Sequence, residues 1–262
     1  MNSFLSAFWA ETLKARRSKV SLLTLAGFSI FPVVDGLFMF ILKDPERART
    51  MGLIGAKAQM TAGVADWPTF FQVLLLGTAI GGAILFAFIT AWVFGREFSD
   101  HTVKELLALP TPREVIVSAK FVLIALWVLA LTLVIFVMGL GVGTLVDIPG
   151  WSAELEWASF GSLILIVLLT FMLMPLVALF ASAGRGYLLP LGWAILTMAL
   201  GQIALVLGWG DWFPWAVPGL LGSAAGPAAE PIETHSYVVV LLTFVVGVAG
   251  TLAWWRSADQ TR

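Results

Sequence analysis

Few side chains in this 262-residue chain could carry out chemistry on a substrate. It contains no cysteine and two histidines, His101 and His235, which excludes thiolate metal sites and a cysteine nucleophile. The densest group of polar residues that could form an enzyme site is Glu97, Asp100, His101 and Lys104. Because this group has no second histidine at metal-ligand spacing, it argues against a membrane-embedded enzyme. We predict no catalytic residue, bound cofactor or metal on this chain.

The chain also lacks the phosphate loop of ATP-hydrolysing proteins. The G-x-x-x-x-G-K-[ST] pattern does not occur, and no polar stretch is long enough to hold an ATPase domain. Any step driven by ATP would therefore take place on a separate chain. The formal net charge of −1 argues against nucleic acid as a partner.

Two polar residues inside long apolar runs are candidates for a transport path. Asp35 is the single charged residue within these runs, and Gln202 lies deep in another. An ionisable group in the bilayer is costly and usually faces the bundle interior or water, so Asp35 is predicted to line a substrate cavity or its outer gate. Alternatively, the first run ends earlier and Asp35 only meets the outer headgroups. Gln202 could equally serve in packing, through a hydrogen bond between helices.

Asp35 and Gln202 lie within two of six long apolar runs in the chain. With 60% hydrophobic and 12% charged residues, the chain has more apolar side chains than one soluble core can hide. A spanning helix needs about 20 apolar residues. The runs that qualify are Val20–Leu42, Thr69–Phe94, Phe121–Val146, Ala158–Ala183, Tyr187–Trp209 and Ser236–Trp255. We predict an all-α integral membrane protein with six transmembrane helices, forming one domain over residues 1–262.

Lysine and arginine are unevenly divided between the two sides of this bundle. Eleven of the fifteen lie on the side that holds both termini. Since positive residues are retained in the cytoplasm, both termini are predicted to be cytoplasmic, in a prokaryotic cell membrane. The other four lie between Lys43 and Lys57, where Asp44-Pro45 is a helix-start pattern. A short outer helix and a plain solvated loop are both open there.

The segment before the first run has an amphipathic pattern. Apolar residues recur at helical spacing from Phe4 onward, whereas Glu11, Lys14 and Arg17 fall largely on the other side. A helix of this kind over residues 1–19 is predicted to lie in the inner membrane interface. The alternative is a helical extension of the first span.

Residues 95–120 form the longest predicted cytoplasmic connection and carry the clearest local signals. Thr102 with Glu105 three residues later fits a capping box, Leu106 opens a leucine-rich run, and Pro110 ends it. These signals predict a short amphipathic helix along the inner face of the membrane. It either docks a soluble partner or is an ordinary interfacial turn.

This connection resembles the one in permeases of the second class of ABC exporters, the type-2 ABC transporter permease family. The matching positions are Glu97, Thr102, Leu106, Leu107, Pro110, Arg113 and Lys120. The N-terminal segment and the stretch from Trp212 to Pro218, before the last run, are also similar to the family's. In layout, the resemblance covers nearly the whole chain.

The resemblance implies a role in ATP-driven export. In the family, the short helix is a coupling helix that contacts the ATPase. The residues it assigns to ATPase docking are Glu97, Phe98, Asp100, Thr102, Glu105 and Leu106. It also implies two copies of an ABC ATPase subunit, which would carry ATP and Mg, and a second permease, identical or homologous, in the lipid membrane.

The mostly apolar interior favours an amphiphilic or hydrophobic cargo, such as a drug, an antimicrobial peptide or a lipid-like molecule. Two other classes of function stay open. A secondary transporter driven by an ion gradient should show repeated halves and several polar midplane residues. A structural subunit of another membrane complex needs neither. A neighbouring gene for a phosphate-loop ATPase would separate the exporter from both.

Overall fold

The computed structural model describes residues 3–52, 64–108, 110–223 and 232–257, and within these it contains helices joined by short turns and no strand. The helices are α1 (Ser3–Arg17), α2 (Lys19–Lys43), α3 (Pro45–Thr50), α4 (Trp67–Ser99), α5 (Val103–Leu107), α6 (Arg113–Val146), α7 (Ala153–Ala183), α8 (Leu188–Val206), α9 (Val217–Ser223) and α10 (Thr234–Ser257). Six of them, α2, α4, α6, α7, α8 and α10, are long and apolar enough to cross a membrane. The predicted fold class and the six spans are confirmed.

The helices extend beyond the apolar runs at the end of the bundle that holds the N-terminus. Helix α4 continues to Ser99, past the predicted end at Phe94, and α6 begins at Arg113 and not at Phe121. The physical reason is that Glu97 and Lys120 are buried inside helices and do not mark their ends.

A break at Ser18 separates α1 from α2. Ser18 has extended backbone angles (φ −89°, ψ 145°), and its hydroxyl accepts a hydrogen bond from the N–H of Val20 at 3.1 Å. The N-terminal helix is therefore a separate element, and its position in the membrane interface stays a prediction. Helix α1 leaves Leu5 and Trp9 exposed but buries Glu11. The expectation that Glu11 lies on an outward polar face is wrong, because the side chain pairs with a lysine of α6.

On the other side of the bundle, a short helix follows α2. The Asp44 carboxylate accepts a hydrogen bond from the N–H of Arg47 at 2.9 Å and caps α3, with Pro45 in the first turn. Of the two possibilities left open for this basic loop, the helix is present over Pro45–Thr50. Residues 53–63, the rest of the loop, lie outside the described residues.

Helices α4 and α7 form the centre of the bundle. Helix α7 packs along both α4 and α10. Its contact with α10 is close: a Cβ added to Gly247 would lie 2.7 Å from the backbone nitrogen of Leu176. The Thr251 hydroxyl, one turn further along α10, donates a hydrogen bond to the Pro175 carbonyl at 3.1 Å. Small and short polar residues thus hold helices together where lipid gives no hydrophobic drive between them.

The segment between α8 and α10 turns back into the bundle. After a 3-10 turn at Gly210–Trp212, α9 packs against α4 and α7, and its Val217 is fully buried. Gly222 of α9 lies against the backbone of Leu75, which is about 12 Å along α4 from Trp67 at 1.5 Å per residue. The sequence predicted an outer segment here and missed both this short helix and its return.

An aromatic stack and two polar contacts anchor the returning segment to α10. The His235 imidazole stacks on Trp212 with ring centroids 4.1 Å apart. Its Nε2 lies 3.0 Å from Asp211 and its Nδ1 lies 3.0 Å from Glu233. Within the described residues, no group of three or more histidine and acidic side chains is arranged to hold a metal ion.

Candidate functional site

Four charged side chains from three helices form a closed ring at the end of the bundle that holds the N-terminus. We call Glu11 and Lys14 of α1, Glu97 of α4 and Lys120 of α6 the buried charge ring. The Lys14 ammonium lies 2.8 Å from Glu11 and 2.6 Å from Glu97. The Lys120 ammonium lies 2.9 Å from Glu11 and 3.2 Å from Glu97. Each acid therefore contacts both bases, and the formal charges cancel.

The ring is removed from solvent on most sides. The exposed fraction is 0% for Lys120, 2% for Glu97 and 4% for Glu11. Lys120 also donates a hydrogen bond to the carbonyl of Val93 at 3.0 Å, so three acceptors surround its three N–H groups. Taking charges out of water is expensive, and only this degree of pairing offsets the cost.

Lys14 lies at the rim of the ring, where its side chain keeps 28% exposure. Burial by itself lowers the pKa of Lys14, but the carboxylates of Glu11 and Glu97 outweigh burial and raise that pKa above its ordinary value. The lysine therefore stays charged at every physiological pH, and α1 remains tied to the end of α4.

Glu97 also connects the ring to the predicted coupling helix. Its second carboxylate oxygen accepts a hydrogen bond from the Thr102 hydroxyl at 2.7 Å, and its carbonyl accepts one from the Thr102 N–H at 2.9 Å. Between them, His101 has a left-handed φ of 58°, which turns the chain from α4 into α5. The first residue before α5 is thus fixed to a carboxylate buried in the bundle.

The capping box predicted for Thr102 and Glu105 is wrong. Thr102 precedes α5, but its side chain makes no capping hydrogen bond to that helix. Its hydroxyl instead binds the Glu97 carboxylate, and a charged acceptor gives the stronger hydrogen bond.

Aromatic contacts hold the end of α4 against α10. Phe98 is 7% exposed and meets Trp254 and Trp255 edge-on, with ring centroids 5.7 and 6.3 Å away. Leu106 of α5 is half-buried against the same hydrophobic core. Both side chains therefore hold the connection between α4 and α6 against the interior of the bundle.

The six residues predicted to dock an ATPase lie close together along the chain but fall into two groups. Glu97 and Phe98 are buried, and Thr102 and Leu106 are half-buried. Asp100 and Glu105 are exposed, and the Asp100 carboxylate lies 3.4 Å from Arg96 in a surface pair. The exposed group is the more accessible to a soluble partner. Docking itself stays a prediction.

The two residues predicted for a transport path have opposite surroundings. Asp35 is 3% exposed, and neither of its carboxylate oxygens has a hydrogen-bond partner among the described residues. Helix α2 continues past it to Lys43, and the position of Asp35 relative to the outer headgroups stays a prediction. Gln202 is exposed on α8, beside a cavity of about 20 Å³ whose lining does not include Asp35.

Sequence reasoning did not identify the ring itself. On sequence alone, Glu11 and Lys14 fall on the polar side of the N-terminal helix, and Lys120 ends the connection over residues 95–120. A signal was present: apolar Val117, Ala119 and Phe121 surround Lys120, which is unusual for a residue in a loop. A lysine in such a setting needs a buried carboxylate as partner.

Two comparisons with known proteins bear on this arrangement. The family model described as ABC-2 family transporter protein matches residues 7–201, a range that includes the whole buried charge ring. The bacitracin transport permease protein BCRB of Bacillus licheniformis is 25% identical over 189 residues, which cover 72% of this chain and 88% of that relative.

Proposed function

The chain belongs to the ABC-2 family of transporter proteins and is a multi-pass permease subunit of an ABC transporter, and from this premise we propose that it docks a separate ATPase through α5 and exports its cargo. The family implies an ABC ATPase as partner. We propose two ATPase copies, which hold ATP and Mg, and a second permease copy or homologous permease in the lipid membrane. Both termini would lie in the cytoplasm of a prokaryotic cell.

The observation that carries this proposal is the attachment of α5 to the buried charge ring. Thr102 joins the start of α5 to Glu97, and Glu97 joins α4 to Lys14 of α1 and Lys120 of α6. A force applied to α5 therefore reaches three helices through one carboxylate. This is the mechanical link that a permease needs if ATP hydrolysis on another chain is to move its spans.

The exposed carboxylates define the surface that the ATPase would contact. Asp100 and Glu105 flank the start of α5 and face solvent, whereas Glu97 and Phe98 support the segment from below. We assign direct contact to Asp100 and Glu105 and a positioning role to Glu97, Phe98 and Thr102. Leu106, half-buried, would contribute its exposed part.

Asp35 is our candidate for the transport path. A carboxylate buried in a span without a partner among the described residues is costly, and such groups usually mark substrate or ion pathways. Gln202, exposed on α8, would face the path only in the assembled permease pair. The cargo would be amphiphilic or hydrophobic, and bacitracin is the first compound to test because a relative is named for its transport.

The test is co-expression with candidate ABC ATPases, followed by purification in lipid and measurement of ATP turnover. Glu105→Lys should abolish co-purification or uncouple turnover from cargo. Glu154→Lys is the matched control: Glu154 is also an exposed acid in the first turn of a helix, but at the opposite end of the bundle.

Two results would contradict the proposal. One is an ATPase that binds the parent and the Glu105→Lys variant equally and couples ATP turnover to cargo equally in both. The other is a chain that binds no ATPase and still moves solute along an ion gradient, which would make it a secondary transporter.

A further inference from the structure

A second feature at this end of the bundle adjoins the docking segment and shares Asp100 with it. A cavity of about 560 Å³ opens between α1, the end of α4 and the start of α8. Its polar lining comes from Lys14, Arg17, Arg96, Asp100 and Tyr187. Three cations thus face one carboxylate.

The cations of this cavity are not all engaged. Lys14 belongs to the buried charge ring, where Glu11 and Glu97 offset its charge. Arg17 is exposed and forms no ion pair within the part of the chain that the structure describes. One positive charge at the rim therefore has no counter-charge there.

Arg96 is fixed in position and still has hydrogen-bond donors that are not used. Its guanidinium lies over the Trp92 ring, 4.9 Å from the centroid, which fixes the plane of the group. Its Nε makes a long contact of 3.4 Å with the half-exposed Asp100 carboxylate. In the described structure the terminal Nη groups bind no acceptor, and a planar fork of this kind suits a phosphate.

Tyr187 closes the cavity on the side of α8. The backbone of the α7–α8 turn lies against Gly95: an added Cβ there would lie 2.9 Å from the Gly186 carbonyl oxygen and 3.0 Å from the Tyr187 ring. This close approach keeps the Tyr187 ring beside Trp92 and Arg96 at the mouth of the cavity. Tryptophan, tyrosine and arginine together are typical of the headgroup level of a membrane.

We propose that this cavity binds the phosphate of an anionic phospholipid headgroup, with Arg17 and Arg96 as its ligands and Trp92 and Tyr187 as its walls. The lipid's acyl chains would run along the exposed apolar faces of α2 and α8, where Leu23 and Leu196 are solvent-accessible in the isolated chain. A basic pocket between helices at the inner face is the setting in which anionic lipids are recognised. The proposal requires the membrane position of these helices and is independent of ATPase docking.

The test is native mass spectrometry of the full chain, purified without an ATPase and titrated with phosphatidylglycerol or phosphatidylcholine. Retention should favour phosphatidylglycerol. Each basic residue near an anionic lipid is expected to contribute about fivefold in affinity, so Arg17→Gln should weaken binding about fivefold and the double variant with Arg96→Gln about 25-fold. Arg17→Gln breaks no ion pair among the described residues, so we expect the variant to keep its fold.

The matched control is Arg16→Gln, an exposed arginine in the same last turn of α1 that does not line the cavity. Equal loss in Arg16→Gln, or equal retention of the two lipids, would overturn the proposal. A second arm adds millimolar inorganic phosphate: release of the bound lipid and binding of phosphate with similar strength would make the ligand a soluble anion. If Arg17→Gln impairs only ATPase co-purification and leaves lipid retention unchanged, the cavity is a protein contact and the lipid proposal fails.

Discussion

The helical bundle buries carboxylates in two places, the buried charge ring and Asp35. The surroundings of these carboxylates are opposite. In the ring, Glu97 contacts two lysines and a threonine hydroxyl. Asp35 is equally buried, but its oxygens have no partner among the described residues. The first arrangement satisfies every member, whereas the second leaves the cost of burial uncompensated.

This difference indicates a structural role for the buried charge ring and a functional role for Asp35. A satisfied ring rigidifies the helices that meet in it, so it suits the transmission of force from α5 into the bundle. An unsatisfied carboxylate contributes nothing to folding that would explain its presence, so it suits a task such as contact with cargo. Mutation of the ring should therefore lower the stability of the fold, whereas mutation of Asp35 should lower transport and leave the fold intact.

The largest effect is expected from Lys120→Met. It leaves Glu11 and Glu97 buried with one lysine between them, and breaking a buried pair in this way costs about 3–5 kcal/mol. The free energy of unfolding, measured by titration with sodium dodecyl sulfate in mixed micelles, should fall by that amount. Lys104→Met, which removes an exposed lysine on α5, is the control and should be nearly neutral.

A second substitution sharpens this test. Adding Glu11→Gln to Lys120→Met leaves Lys14 and Glu97 as a neutral pair, so the double variant should recover about 1 kcal/mol or more relative to Lys120→Met alone. Additive losses would mean that the ring does not act as a unit.

Thr102→Val tests the link between the ring and α5. It removes one hydroxyl donor to a charged acceptor and keeps the side-chain shape, at a cost of about 1.5–3 kcal/mol. The loss should be local: backbone amides of α5 should exchange hydrogen faster while those of α6 stay protected. Thr144→Val is the control, because its hydroxyl binds only carbonyls of its own helix. Uniform faster exchange across the bundle would show that Thr102 supports the whole fold and not the link.

Asp35→Asn should lower transport without lowering the stability of the fold. The substitution conserves volume, breaks no described hydrogen bond and removes an unpartnered buried charge, so the free energy of unfolding should stay the same or rise. Cargo export by the assembled transporter should fall, and Asp35→Glu, which restores a carboxylate, should recover part of it. Normal export by Asp35→Asn at normal expression would place Asp35 in packing and remove it from the path.

The six spans could be predicted because each is a continuous apolar run that only a membrane can accommodate. The start of α5 followed from the local signal at Thr102, although its capping partner was misassigned. The signal at Asp44 left the helix at Pro45–Thr50 and a solvated loop both open. These are properties of neighbours in sequence. The docking segment was located by family resemblance.

The identity of the partners within the ring and the burial of the returning segment could not be predicted, for the same physical reason. Hydropathy treats a charge as the end of a span, yet Glu97 and Lys120 are tolerated inside helices because their partners arrive from elsewhere in the chain, 83 residues away for Lys14 and Glu97. Likewise, α9 is buried because it packs against α4 and α7. Partners distant in sequence leave no local periodic signal.

Among the ion pairs, the smallest effect is expected one turn from the ring, in the surface pair of Arg96 and Asp100. The pair spans 3.4 Å and Asp100 keeps 50% of its side chain exposed, so Asp100→Asn should cost only about 0.2–1 kcal/mol. That loss should vanish in high salt, which screens exposed charges, whereas the loss in Lys120→Met should persist because the ring is buried. Unfolding measured at low and high salt on both variants therefore compares two sets of ion pairs that differ chiefly in burial. A salt-sensitive Lys120→Met would mean that water reaches the ring, and the rigid link proposed between α5 and the bundle would then lack its basis.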